Sequence, residues 1–113
     1  MSLVGENCVF SMKVKGEATR KVYKGDFVLR MFLSLRERTQ VAVEFSKRDK
    51  GNEKDAFQSG ITQMICELRC LAEQAPDWFK SEEVWDLKDI QPFLTIRDEL
   101  DKAIEEYLKT QEE

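Results

Sequence analysis

The 113-residue chain is 42% hydrophobic and 35% charged, which supports one packed domain with a well-solvated exterior and argues against disorder. It has no histidine, a formal net charge of −4 and a pI near 5.0, so the commonest general base near neutral pH is missing and a polyanion is a poor principal partner. Apolar runs of only a few residues fit no membrane-spanning helix, and the first residues lack the basic start and long apolar stretch of a secretion signal, so the expected site is the cytoplasm.

Charge is divided along the chain. Residues 1–50 hold eleven Lys/Arg against six Asp/Glu, and residues 51–113 hold seven against sixteen. Such a division provides complementary surfaces for docking on copies of the chain or on a charged partner.

Cys8, Phe10, Met12 and Val14 alternate with Val9, Ser11, Lys13 and Lys15, the period of a half-buried strand. Residues 16–21 read as a loop in which Gly16 is free to take a left-handed conformation. A second strand is expected over Val22–Ser34, bent at Gly25-Asp26, with Phe27, Leu29, Met31 and Leu33 on one face. The two strands form an antiparallel hairpin over residues 8–34, with Lys13, Lys15, Arg20, Lys21, Lys24 and Arg30 in its loop and on its more polar face.

Ser34-Leu35-Arg36-Glu37 matches a capping box and starts a first helix, Leu35 to about Asp49, expected to bury Leu35, Val41, Ala42 and Phe45. Its valines and Thr39 lower its helix propensity, which leaves open that part of it extends the sheet. Gly51-Asn52 is expected to end it, with Asn52 capping the next helix. That second helix, residues 53–75, carries Phe57, Ile61, Met64, Ile65, Leu68, Leu71, Ala72 and Ala75 at steps of three and four, and Pro76 stops it. A short turn over 81–85 leads to a third helix from Gln91 or Pro92, with Phe93, Ile96, Leu100, Ala103, Ile104, Tyr107 and Leu108 as its stripe. The reading is one α+β domain over residues 1–113: an N-terminal antiparallel β-hairpin packed on a C-terminal bundle of three helices over about 35–110.

Reaction chemistry is hard to find in these residues. No phosphate loop, dinucleotide fingerprint, nucleophile elbow or calcium loop is present. Glu82-Glu83, Asp86 with Asp89, and Asp98-Glu99-Asp101 hold enough carboxylates for a magnesium site, but solvated helix surface and helix-start charge explain them more simply. Cys66 and Cys70 share a helix face and suit two metal ligands. With Cys8 the only other thiol, structural burial is the favoured reading.

Two groups suit partner contacts. Lys13, Lys15, Arg20, Lys21 and Lys24 suit a phosphate backbone, and Tyr23 a stacked base, although lysines that discourage edge aggregation explain the same positions. Trp78, Phe79 and Trp85 cluster beside Pro76, where core capping is the first reading and an interface anchor the second.

Five short motifs in this order resemble small proteins of long-tailed bacteriophages and prophages assigned as tail assembly chaperones. They are Gly16 to Thr19, Tyr23 to Phe27, Leu33 to Arg38, Ala75 to Phe79 and Asp86 to Ile90. Relatives carry paired tryptophans after the proline where this chain has Trp78-Phe79, a conservative departure. The resemblance implies a non-enzymatic assembly factor without cofactor or metal, acting in the host bacterial cytoplasm. Such a factor self-associates, keeps the apolar helices of the tape-measure protein soluble, and helps recruit tail-tube subunits. It assigns no role to an individual residue. The alternatives are a structural tail or head–tail joining protein of the virion, or a small nucleic-acid-binding module using the basic hairpin.

Overall fold

The computed structural model describes residues 2–49 and 56–111 and has α+β architecture, an N-terminal antiparallel hairpin followed by C-terminal helices. The chain forms two compact units: Met1–Met31 together with Ala72–Glu113, and Phe32–Leu71.

The first unit is built on a four-stranded antiparallel sheet, β1 (Ser2–Val4), β2 (Asn7–Lys15), β3 (Val22–Arg30) and β4 (Ala72–Gln74), in the spatial order β1-β2-β3-β4. A two-residue turn joins β1 to β2. Gly5, at φ 62°, occupies its first position, where a positive φ lets the turn follow strand twist. The alternation in β2 and β3 decides their faces: Cys8, Phe10, Met12, Tyr23, Phe27 and Leu29 are buried, while Ser11, Lys13, Lys15, Lys24 and Asp26 are exposed.

Three sequence expectations change here. The second strand ends at Arg30 and not Ser34, because β2 supplies no partner beyond Asn7 and Ser34 is taken as a helix cap. No bend falls at Gly25-Asp26, which pair regularly with Met12 and Ser11; the register shift lies at Val28/Leu29, opposite β4. Residues 72–74 leave the helical pattern to become β4, since pairing with Val28 and Leu29 outweighs their local helix propensity.

Two short helical turns follow, α3 (Asp77–Lys80) and a 3₁₀ turn over Glu82–Asp86. The first unit ends in α4 (numbered after the two helices of the second unit), Gln91–Thr110, with Pro92 in its first turn. This helix buries Phe93, Ile96, Leu100 and Ala103, whereas Leu108 is exposed and Ile104 and Tyr107 are half-buried. It runs the length of β2. Glu17 N donates to Gln91 Oε1 (3.3 Å), the Cys8 thiol donates weakly to the Glu99 carbonyl (3.8 Å), and the Tyr107 hydroxyl donates to Glu6 Oε1 (3.2 Å). On its outer side, Arg97–Asp101, Lys102–Asp98 and Lys109–Glu105 pair one turn apart, so much of its acidic surface is locally balanced.

The second unit is a helix pair, α1 (Leu35–Arg48) and α2 (Ala56–Leu71). The capping box forms: Glu37 N donates to Ser34 Oγ (3.1 Å) and Ser34 N donates to Glu37 Oε1 (2.9 Å). With both ends of this local lock made, α1 is helical throughout and adds nothing to the sheet. Its expected burial is corrected, however. Only Val41 is buried in α1; Leu35 and Ala42 are exposed and Phe45 is half-buried. In α2, Ile65, Cys66, Leu68 and Leu71 are buried, but Phe57 is not. Buried Asp49 closes α1, accepting from the Ser59 hydroxyl at 2.8 Å, and Glu44 pairs with Arg48 (3.0 Å) and Arg69 (3.9 Å). The Gly51-Asn52 stop and the start of the second helix at 53 lie outside the described residues.

Candidate functional site

The end of the β2–β3 hairpin is held by one carboxylate. Asp89, only 3% exposed, accepts from the amides of Ala18 (2.8 Å) and Thr19 (3.1 Å) on Oδ1, and from the Thr19 and Tyr23 hydroxyls on Oδ2. Successive amides of a tight loop form an anion-binding concavity, and here the chain fills it with its own side chain. The Thr19 hydroxyl acts first, opposed by burial and helped by Tyr23 and the two amides, to hold Asp89 down to about 2. Tyr23 is pushed the other way, by burial and then by the hydrogen bond it gives Asp89.

This lock explains Gly16, whose role differs from the expected one. A Cβ at residue 16 would stand 2.2 Å from Asp89 Cγ, so glycine is needed for space. The left-handed residue of the loop is Arg20, at φ 65°. Asp89, read from sequence as solvated charge, is instead the anchor of the loop.

A second lock joins β3 to residues 75–79. Trp78 Nε1 donates to the Lys24 carbonyl (3.0 Å), and a Cβ on Gly25 would meet Pro76 Cγ at 2.5 Å. Phe10 stacks on its cross-strand partner Phe27 with centroids 5.1 Å apart. Phe27 meets Phe79 edge-on at 5.4 Å, and Trp78 meets Tyr23 edge-on at 5.2 Å. Phe79 is fully buried, which corrects its candidacy as a partner contact: its ring belongs to this core. Trp78 is half-buried with its N–H used internally, and Trp85 is half-buried in the 3₁₀ turn. Four of the five motifs are therefore two interlocking pairs, Gly16–Thr19 with Asp86–Ile90 and Tyr23–Phe27 with Ala75–Phe79. The remaining motif contains the α1 cap.

Of the other candidate contacts, Lys13, Lys15, Arg20, Lys21 and Lys24 are all exposed. Register sets Lys13 directly across from Lys24, and Lys15 across from Val22, on the solvent face. Lys21 lies with its ammonium 5.6 Å from the centre of the Tyr23 ring. Arg30 differs from these five in pairing with Glu73 at 2.9 Å. Tyr23 is corrected as a base-stacking residue, because it is buried and bonded to Asp89.

The second unit offers a different kind of surface. Leu35 is 84%, Phe57 68% and Val43 51% exposed, and Phe32 is also exposed. Leu35, Thr39 and Val43 stand four apart and share one stripe of α1. Val43, Thr39, Gln40, Glu44, Lys47 and Arg48 line a broad shallow depression. On another side, a groove of about 170 Å³ is lined by Leu33, Arg38, Val41, Ala42, Phe45, Gln63 and Glu67. Its lining joins apolar Leu33, Val41, Ala42 and Phe45 to polar Arg38, Gln63 and Glu67, a mixture that suits an amphipathic helix. Sequence patterning missed part of this surface by counting Leu35 and Phe57 in the apolar stripes of their helices.

The thiols fall in separate places. Cys8 belongs to the first unit, and burial first, then Glu99, pushes it up to about 11. Cys66 belongs to the second unit and is likewise pushed up to about 11, by burial and then Glu44. Cys70, on the same helix, lies 3.8 Å from Glu37 Oε2. Among the described residues, no group of three or more acidic or thiol side chains is arranged to hold a metal ion, and no helix is long and apolar enough to cross a membrane. No protein-family model matches the sequence, and no characterised protein or solved structure shows significant similarity to it.

Proposed function

We propose that this chain is a non-enzymatic assembly chaperone of long-tailed phages, which self-associates and holds apolar helical segments of tail proteins such as the tape measure until assembly. The observation that carries this reading is the helix pair of the second unit. Leu35, Val43 and Phe57 stand in solvent, a separate groove is lined in part by Leu33, Val41, Ala42 and Phe45, and α1 buries a single residue. Exposed apolar surface of this kind is what a helix-sequestering protein needs and what a self-sufficient domain avoids. The family resemblance supplies the phage setting and the identity of the partner.

The test is to mix the full chain with a long amphipathic helical polypeptide that aggregates alone, and to follow light scattering. The expected result is suppressed aggregation and a complex that survives high salt, since apolar burial carries it. A chain that leaves scattering unchanged and remains a monomer at every concentration would count against this function. Mass spectrometry of purified particles separates the chaperone, which is scarce or missing there, from a structural tail or joining protein, which is retained.

A further inference from the structure

The sheet of the first unit has one closed edge and one open edge. On the β3 side, β4 pairs with Val28 and Leu29, and Trp78 takes the Lys24 carbonyl. On the β2 side, β1 pairs only with Asn7, Cys8 and Val9, and no described strand continues past them.

Main-chain direction along β2 follows from two hydrogen bonds. Gly16 N donates to the Lys21 carbonyl (2.8 Å) at one end of the hairpin, and Met31 N donates to the Glu6 carbonyl (3.1 Å) at the other. Antiparallel pairs alternate between bonded and non-bonded. Counting by twos from Gly16 to Glu6, Val14, Met12, Phe10 and Cys8 turn their amides and carbonyls toward β3. Ser11, Lys13 and Lys15 turn theirs outward, past the end of β1.

The side chains of the same three residues lie on the solvent face, beside Lys24. Lys13 opposite Lys24 is a like-charge cross-strand pair, an arrangement that costs stability when nothing lies between. Among the described residues, Lys13, Lys15, Lys21 and Lys24 have no carboxylate within ion-pair distance. The hydrogen bonds from Glu17 and Cys8 to α4 run along the length of β2, and α4 takes its place with the buried stripe of the strand, away from the lysines.

We propose that this edge and face form a binding site for an extended acidic polypeptide segment. The segment adds as a strand beside Ser11–Lys15, and carboxylates at alternate positions meet Lys13, Lys15 and Lys24. Main-chain bonds give affinity and the alternating charge gives specificity, the ordinary division of labour in strand addition. A second copy pairing through its own β2 would set Lys13 and Lys15 against themselves. Nucleic acid is disfavoured, because Tyr23, between Lys21 and Lys24, is buried and bonded to Asp89 and cannot stack on a base. The site is distinct from the apolar helix surface and does not depend on it.

The test uses the full chain and a labelled ten-residue peptide of alternating threonine and glutamate, with the lysine counterpart and a single-stranded oligonucleotide as controls. Fluorescence anisotropy at low and high salt reads binding, and amide hydrogen exchange reads the edge. The expected result is binding of the acidic peptide only, weakened tenfold or more by high salt. The Lys13→Glu/Lys24→Glu variant, which replaces one like-charge solvent-face pair with another, should lose tenfold or more in affinity while melting at about the same temperature. The Ser11, Lys13 and Lys15 amides should exchange more slowly with peptide bound. The proposal is overturned by no binding, by tighter binding of the oligonucleotide, or by binding that leaves those three amides unprotected. Either of the first two outcomes would leave the helix-pair reading untouched, since aggregation suppression by α1 and α2 is read separately and at high salt.

Discussion

The first unit surrounds a large apolar core, with Val4, Val22, Leu94 and Leu108 left exposed, whereas the second leaves Phe32, Leu35, Val43 and Phe57 exposed around a much smaller one. In the first, α4 seats Phe93, Ile96, Leu100 and Ala103, and Phe10, Phe27 and Phe79 close the centre with stacked and edge-on rings. In the second, a capped and fully formed helix of 14 residues buries only Val41. The Ser34/Glu37 cap and the Glu44–Arg48 pair add local support to the packing of α1 on α2. Helix formation thus outruns core formation in this unit, and the apolar surface left over is the one the proposed helical partner would cover.

The largest expected effect lies in the enclosed unit. Phe79→Ala removes a fully buried ring and should lower unfolding stability by about 3–5 kcal/mol, read by chemical denaturation. A loss below about 1 kcal/mol would mean that the aromatic centre is not tightly packed. Next comes the Asp89 lock. Its carboxyl is depressed to about 2, below the ordinary value of about 4, so its contribution is present above pH 4 and is lost as pH falls toward 2. Acid titration of stability should therefore slope downward through that window in the wild type and flatten in Asp89→Asn, which starts less stable at pH 7. An unchanged slope would show that the loop is held by something else.

Glycine substitutions compare the units directly. Gly16→Ala drives a methyl into the Asp89 carboxylate and should destabilise by about 1–3 kcal/mol. Gly60→Ala, inside α2 with nothing within 4 Å of its Cβ position, should stabilise by about 0.5–1 kcal/mol by restricting the unfolded chain and favouring helix. Thermal melts of the two variants should move in opposite directions. Two variants shifting the same way would erase the contrast.

Much of this organisation was legible because it is local. The alternation in β2, the Ser34 cap and the Phe93–Ala103 stripe each depend on residues within a few positions of one another. What was missed depends on distant partners. Ala72–Gln74 continues a helical pattern and becomes a strand only because Val28 and Leu29 offer an open edge. Asp89 looks like surface charge until the hairpin loop, some seventy positions earlier, is brought to it. The exposure of Leu35 was hidden by the same periodicity that revealed α1, since a stripe tells which residues share a face and not what covers that face. For the candidate contacts, sequence located the lysines correctly, but only the register set Lys13 against Lys24.

The smallest expected effect on stability belongs to the exposed stripe. Leu35→Gln and Val43→Gln should each change unfolding stability by less than about 0.5 kcal/mol, while their combination should abolish suppression of helix aggregation. A large loss of stability would mean that these side chains are core residues after all.

Hydrogen exchange of the full chain, with and without an amphipathic helical partner, addresses the division between the two units most directly. Slowed exchange over residues 35–48 and 56–71, with residues 7–30 and 91–110 unchanged, is the predicted result. Protection confined to the sheet and α4, with α1 and α2 exchanging as before, would contradict it.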